Sequence, residues 1–306
     1  MERKTDLIDY TCENIKMRRQ IDTEKNWKEL SRRITTYKRS VKLWAYARNI
    51  SAVLVIPLIM AVFFLLNERT NHENIPEEWV TLSSAHGIVT KIILPDGSEV
   101  WLNSGSTLSY PTIFKTRNRP VRLSGEAYFR VNADMKSRFI VSTDQGMTVS
   151  AYGTEFNVCA YEEEQAIEAT LVSGRIDVNI NADVVKIERG QQVSFDKESG
   201  RFEVDNTNIA VTTAWKEGKM IFRKADMSEV MRRLARRYNV EIRLEDDELL
   251  DYQYSATFTT ETLEEVLHLL EVSAPIKCKI LYPEQSEDYS FTKRIVTIRG
   301  KYSRSG

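Results

Sequence analysis

Residues 123–131 read LSGEAYFRV, and their reading decides whether this part of the chain holds a reaction or builds a sheet. Ser124, Gly125 and Glu126 are the residue types of a nucleophile beside an acid. Their surroundings point elsewhere. Ala127, Phe129 and Val131 fall on one face, and Glu126, Tyr128 and Arg130 on the other. That is the period of two of a β-strand. The same order, glycine and then an alternating run, returns in VSGRIDVNI (172–180) and IERGQQVSF (187–195). A pattern that returns is architecture: glycine supplies the bend or bulge where the chain turns into a strand. The glycines are unevenly spaced, so no strict solenoid repeat is present. No Gly-x-Ser-x-Gly surrounds Ser124, which therefore lacks a nucleophile elbow.

Outward from this stretch the alternation continues. GIVTKIILPDGSEVWLNSGSTLSY (87–110) alternates around the turn Pro95-Asp96-Gly97-Ser98. There proline pre-sets φ and glycine accepts a positive φ. No helical period longer than two turns interrupts Trp79 to Asp205. Residues 79–210 are expected to form an all-β domain of many short strands.

Residues 218–300 carry a duplication. FRKADMSEVMRRLARRY (222–238) and FTTETLEEVLHLLEVSA (258–274) align at an offset of 36. Phe222 matches Phe258, Met227 matches Leu263, and Leu234 matches Leu270. Each copy opens with a capping-box pattern, Asp226 with Glu229 and Thr262 with Glu265. Met227, Val230, Met231 and Leu234 share one helix face, as do Leu263, Val266, Leu267 and Leu270. With the strand-like runs around them, the expected order is β-α-β-β-α-β-β, a small α+β domain.

The other end of the chain differs in kind. Ile50–Leu66 holds seventeen residues without a charge. At the helical rise this spans roughly 26 Å, close to the hydrocarbon core of a bilayer. Residues 45–66 are expected to form one transmembrane helix, kinked at Pro57, with 67–78 as a polar linker. The head before it carries 13 Lys and Arg against 7 Asp and Glu over residues 1–49, whereas residues 67–306 carry 30 against 37. The positive-inside rule then places the N-terminus in the cytoplasm and the body outside it. Within the head, residues 1–44, Ile21, Trp27, Leu30, Ile34, Tyr37 and Val41 form one stripe at mostly helical spacing. So short a segment builds no core of its own. Its stripe is buried either on the anionic inner leaflet or in a partner's groove, for which Trp27, Leu30 and Ile34 are the anchor set.

Little in the chain suggests catalysis. The three cysteines, Cys12, Cys159 and Cys278, form no disulfide framework. No His-Glu-x-x-His, Cys-x-x-Cys or phosphate-binding glycine loop occurs. Glu162–Glu164 and the basic run RRLARR (232–237) read most simply as solvated surface. No catalytic, cofactor-binding or metal-ligating residue is assigned, and the chain is not expected to be an enzyme.

A basic head with Trp27-x-x-Leu30-x-x-x-Ile34, one membrane helix, and a β domain with LPDGSEVWLNSGSTL, LSGEAYFRV, YGTEFNV and LVSGRIDV are followed by a duplicated β-α-β unit. This order resembles the FecR family of transmembrane anti-sigma factors and sigma regulators. The C-terminal unit is similar to the STN module of secretins and TonB-dependent transducers. The resemblance implies a cytoplasmic head that binds an extracytoplasmic-function (ECF) sigma factor through Trp27, Leu30 and Ile34, and an inner-membrane location with the C-terminus in the periplasm. It further implies a periplasmic β domain like an irregular twisted solenoid, a contact with the signalling domain of a TonB-dependent outer-membrane transporter, and release by a membrane protease. It implies no cofactor and no direct contact with nucleic acid. Two other readings fit the residues: a structural envelope protein that docks a transporter or secretin, and a membrane-anchored periplasmic binding or hydrolytic domain.

Overall fold

The computed structural model describes residues 10–14, 24–34, 57–64, 78–114, 117–181, 183–246, 249–250, 252–282 and 293–301. The chain divides into two compact units, Met1–Ile75 and Pro76–Gly306.

The described residues of the first unit are helical: α1 (10–14), α2 (24–34) and α3 (57–64). Among the described residues no helix is long and apolar enough to cross a membrane. Most of the expected span 45–66 and of the linker 67–78 lies outside the described residues. Pro57 is the first described residue of α3. The turn before it, on which the expected kink depends, lies outside the described residues.

The second unit begins with thirteen strands: β1 (Trp79–Ser83), β2 (Thr90–Ile93), β3 (Glu99–Leu102), β4 (Thr107–Pro111), β5 (Asn118–Arg130), β6 (Arg138–Thr143), β7 (Thr148–Ala151), β8 (Glu155–Ala160), β9 (Ala166–Ser173), β10 (Ile176–Ile180), β11 (Asp183–Ile187), β12 (Gln191–Asp196) and β13 (Phe202–Asn206). They run in the order β11-β10-β7-β6-β5-β8-β9-β12-β13, with β3 and β4 also pairing with β5. This is not the solenoid that the resemblance implied. Every pairing in it is antiparallel except β5 with β6. One long strand joins two halves instead.

β5 spans 13 residues and changes neighbours midway. Its first part, up to Ser124, pairs with β4 and β6; from Gly125 onward it pairs with β3 and β8. The inward residues of both halves form one core, with Val121, Leu123, Phe139 and Val149 from one and Phe129, Phe156, Leu171 and Val193 from the other. Phe129 stacks on Phe156 at 5.0 Å between ring centres and meets Phe139 at 5.9 Å. Gly125 sits at the change of partner with φ +95°. The expected alternation of LSGEAYFRV holds: Ala127, Phe129 and Val131 are buried in this core.

A short helix α4 (Ile209–Thr213) and a 3-10 turn (Ala214–Glu217) lead to the C-terminal module. This comprises β14 (Met220–Asp226), α5 (Met227–Tyr238), β15 (Val240–Leu244), β16 (Gln253–Phe258), α6 (Leu263–Ser273), β17 (Ile276–Leu281) and β18 (Arg294–Gly300). The order is the β-α-β-β-α-β-β expected from the duplication. The duplicated positions meet: β14 pairs with β16, and Phe222 lies edge-on to Phe258 at 6.1 Å. Both predicted helix faces share a second core. Thr262 and Glu265 form the full capping box. Asp226 stands at the N-cap of α5 without a side-chain bond, and Glu229 pairs with Arg233 instead.

Candidate functional site

Two surfaces carry side chains that a fold alone does not require. The first lies on α2. Trp27, Leu30 and Ile34 share one face at spacings of three and four, and are 67%, 50% and 46% exposed. Lys25, Lys28, Arg32 and Arg33 lie on the same short helix, with Arg33 ion-paired to Glu29 at 3.5 Å. Three large apolar side chains in the open beside basic ones form a ready anchor for a groove. Ile21, Tyr37 and Val41, the other members of the expected stripe, lie outside the described residues.

The second surface lies where the C-terminal module covers the outer face of the β domain. Strand alternation puts Glu126 and Tyr128 of β5, Asn157 and Cys159 of β8, and Glu168 and Thr170 of β9 on that face. Register lines them up: Glu126 is opposite Cys159, and Cys159 opposite Glu168. The segment after β13 crosses this face. Trp215 donates its Nε1–H to Asn157 Oδ1 at 3.2 Å, and Lys216 Nζ lies 4.0 Å from the Tyr128 ring centre.

α5 closes over the rest. Ser104 Oγ donates to the Arg236 carbonyl at 2.7 Å. Glu164, in the turn between β8 and β9, accepts from Arg232 Nε at 2.9 Å and from the Arg236 guanidinium. Arg236 also stacks on Tyr161, 3.7 Å from the ring centre. The acidic run and the basic run, each read from sequence as solvated, therefore meet in one clamp. Nothing local could have paired them, since 68 and 72 residues separate the partners. Glu164→Ala should weaken the hold of the module on the sheet by about 2–3 kcal/mol, the worth of hydrogen bonds between charged groups. Hydrogen exchange of the α5 amides reads this directly. Faster exchange there, with β5 unchanged, is the expected outcome; equal loss in both would show that the clamp does not act at the joint.

Between sheet and α5 lies a cavity of about 520 Å³. Its floor is the Glu126–Cys159–Glu168 row, and its roof includes Arg233 and Arg236. Asn103 and Asn157 amides donate to Glu126 at 2.7 and 2.9 Å. Burial raises the Glu126 carboxyl above its ordinary range, against those bonds. Glu168 is pushed up to about 7, chiefly by burial and further by Glu126, Glu229 and Glu164. Burial also raises the Cys159 thiol well above its usual value, which makes it a poor nucleophile. Among the described residues no group of histidine, cysteine and carboxylate side chains could hold a metal ion.

Family comparison matches both modules. A model described as FecR protein covers residues 80–177, and one described as FecR, C-terminal, covers residues 219–284. Two crystal structures of a candidate anti-sigma factor from Parabacteroides distasonis are similar. One, at 1.65 Å resolution, has 29% identity and a TM-score of 0.63 over 74% of this chain and 100% of that chain. The other, at 2.50 Å, has 29% identity and a TM-score of 0.62 over 72% of this chain and 99% of that one. No curated protein matches the chain.

Proposed function

The chain carries both domains of the FecR family, the FecR domain and the FecR C-terminal domain, and from that premise we propose that it is a single-pass inner-membrane regulator of an ECF sigma factor. The observation that carries this reading is the exposed Trp27–Leu30–Ile34 face on α2, in a chain similar over 74% of its length to a candidate anti-sigma factor. Each anchor contributes about 1.5–3 kcal/mol if fully buried on a partner. Basic neighbours speed the encounter with an acidic groove. The uncharged run Ile50–Leu66 joins this cytoplasmic head to a periplasmic body, and Pro57 gives a membrane protease a weak point in the helix.

In the periplasm, the signal comes from the signalling domain of a TonB-dependent transporter. The three-stranded sheet β15-β18-β17 has β15 and β17 at its edges. An edge offers unpaired backbone groups to an added strand, which fits a contact of this kind. A regulator of this design acts by binding and release, and its chemistry needs no catalytic side chain.

The test is co-purification of candidate sigma factors with the full chain and with Trp27→Ala. Wild type should retain one sigma factor, and the variant should bind it about thirtyfold more weakly, the loss typical of a central tryptophan anchor. If the variant holds every sigma factor as well as wild type, the anchor assignment fails. If wild type itself holds none, the structural envelope reading takes its place.

A further inference from the structure

The cavity between the FecR sheet and the C-terminal module is separate from the α2 face proposed for sigma binding, and it has the make-up of a ligand site. Its volume of about 520 Å³ suits a small molecule. Its two walls belong to different modules, with the carboxyl groups of Glu126 and Glu168 on one and the Arg233 and Arg236 guanidinium groups on the other.

On the floor, Glu168 makes no hydrogen bond or ion pair with any described side chain. Glu126 beside it is held only by the neutral amides of Asn103 and Asn157. One strand separates β5 from β9, so their backbones lie about 10 Å apart. Two carboxyl groups face one space without a direct ion pair, and only the more distant charges of Arg233 and Arg236 act on them. On the roof, the Arg236 side chain is only 10% exposed, and its buried Nε–H has no partner. Arg233 spends one nitrogen on Glu229 and on the Ile221 carbonyl, which leaves donors of its five.

Charged side chains of both signs that line one cavity mark a candidate ligand site. A cation alone would leave the remaining Arg233 donors unanswered. An anion alone would sit against two carboxylates. A molecule with both charges answers both walls. We propose that this cavity binds a small zwitterion, an amino acid or short peptide, with its ammonium group on Glu168 and Glu126 and its carboxylate on Arg236 and Arg233. Such a ligand would touch both modules at once and strengthen the joint that Glu164 already clamps. The inference stands apart from the identity of the head's partner.

The probe is alanylalanine, with alaninamide and N-acetylalanine as half-ligands that keep only the ammonium or only the carboxylate. Titration calorimetry on the full chain, with thermal unfolding alongside, should show one alanylalanine bound and a raised midpoint. Each half-ligand should bind about tenfold more weakly or worse, the loss of one charged contact. Glu168→Gln should weaken alanylalanine to the same degree. Because Glu168 supports no contact in the fold, this variant should unfold no earlier than wild type without ligand. Glu126→Gln provides a second reading of the same floor. Absence of alanylalanine binding at millimolar concentration, or equal binding by wild type and Glu168→Gln, would overturn the proposal.

Discussion

Gly125→Ala should destabilise the β domain by about 2–5 kcal/mol, a large share of an ordinary folding reserve of about 5–15 kcal/mol. Two costs add. At φ +95° an L-residue is strained, and the added Cβ would lie 2.5 Å from Ser106 Oγ and 2.8 Å from the Ser106 backbone Cα. Ser106 cannot move aside cheaply, because its Oγ accepts the Glu126 N–H at 2.8 Å and lies 3.2 Å from the Tyr161 hydroxyl. Gly200 is also at positive φ, but a Cβ added there would meet nothing within 4 Å, so it serves as the control. Gly200→Ala should lose only the backbone part, about 1–2 kcal/mol. Urea unfolding of both variants checks the pair. Similar midpoints for the two would mean that the contact at Ser106 adds nothing.

Asp96→Ala should cost about 3–5 kcal/mol, the usual result of stripping the partner from a buried charge. Asp96 stands in the turn of LPDGS. Its Oδ2 meets Arg119 Nη1 at 2.7 Å, with side chains 12% and 4% exposed. It also accepts from the Ser98 N–H at 3.0 Å and the Ser98 hydroxyl at 2.7 Å. Arg119 donates onward to the carbonyls of Asn132 and Ser137 at 3.0 and 2.8 Å. One carboxylate thus ties the β2–β3 turn to the start of β5 and the loop after it. Asp96→Asn keeps the shape and removes the charge, so its one acceptor oxygen should recover only the Ser98 N–H bond, worth about 1 kcal/mol. Thermal unfolding of the three proteins ranks them. An alanine variant as stable as wild type would show that the ion pair and its turn contribute no net stability.

The sequence was most legible where partners are close along the chain. The helix faces of α5 and α6 follow from local period, and the Thr262 capping box from four consecutive residues. Asp226 shows the limit of such rules. Its pattern was the same, but Glu229 had a nearer cation in Arg233. The strand alternation around Gly125 was readable, whereas its role at the change of partners was not. That role depends on β3, β4, β6 and β8 arriving at one strand from both directions. The clamp and the cavity were invisible for the same reason. Glu164 reads as solvated surface, and Glu168 carries no signal at all, until α5 is laid over them. On α2 the apolar face was legible as a period, and the exposure of its three anchors came only with the structure.

β5 carries a final consequence, for the order in which the domain is lost. Four strands from both halves end on it, so neither half can peel away and leave the other with a complete core. Its central amides should exchange only through global unfolding, while β11 and β13, which each pair with a single neighbour, fray freely. A cut or a pull that frees β5 therefore dissolves both halves together. The domain behaves as a fuse: it holds its form under small disturbances, and beyond a threshold it fails all at once.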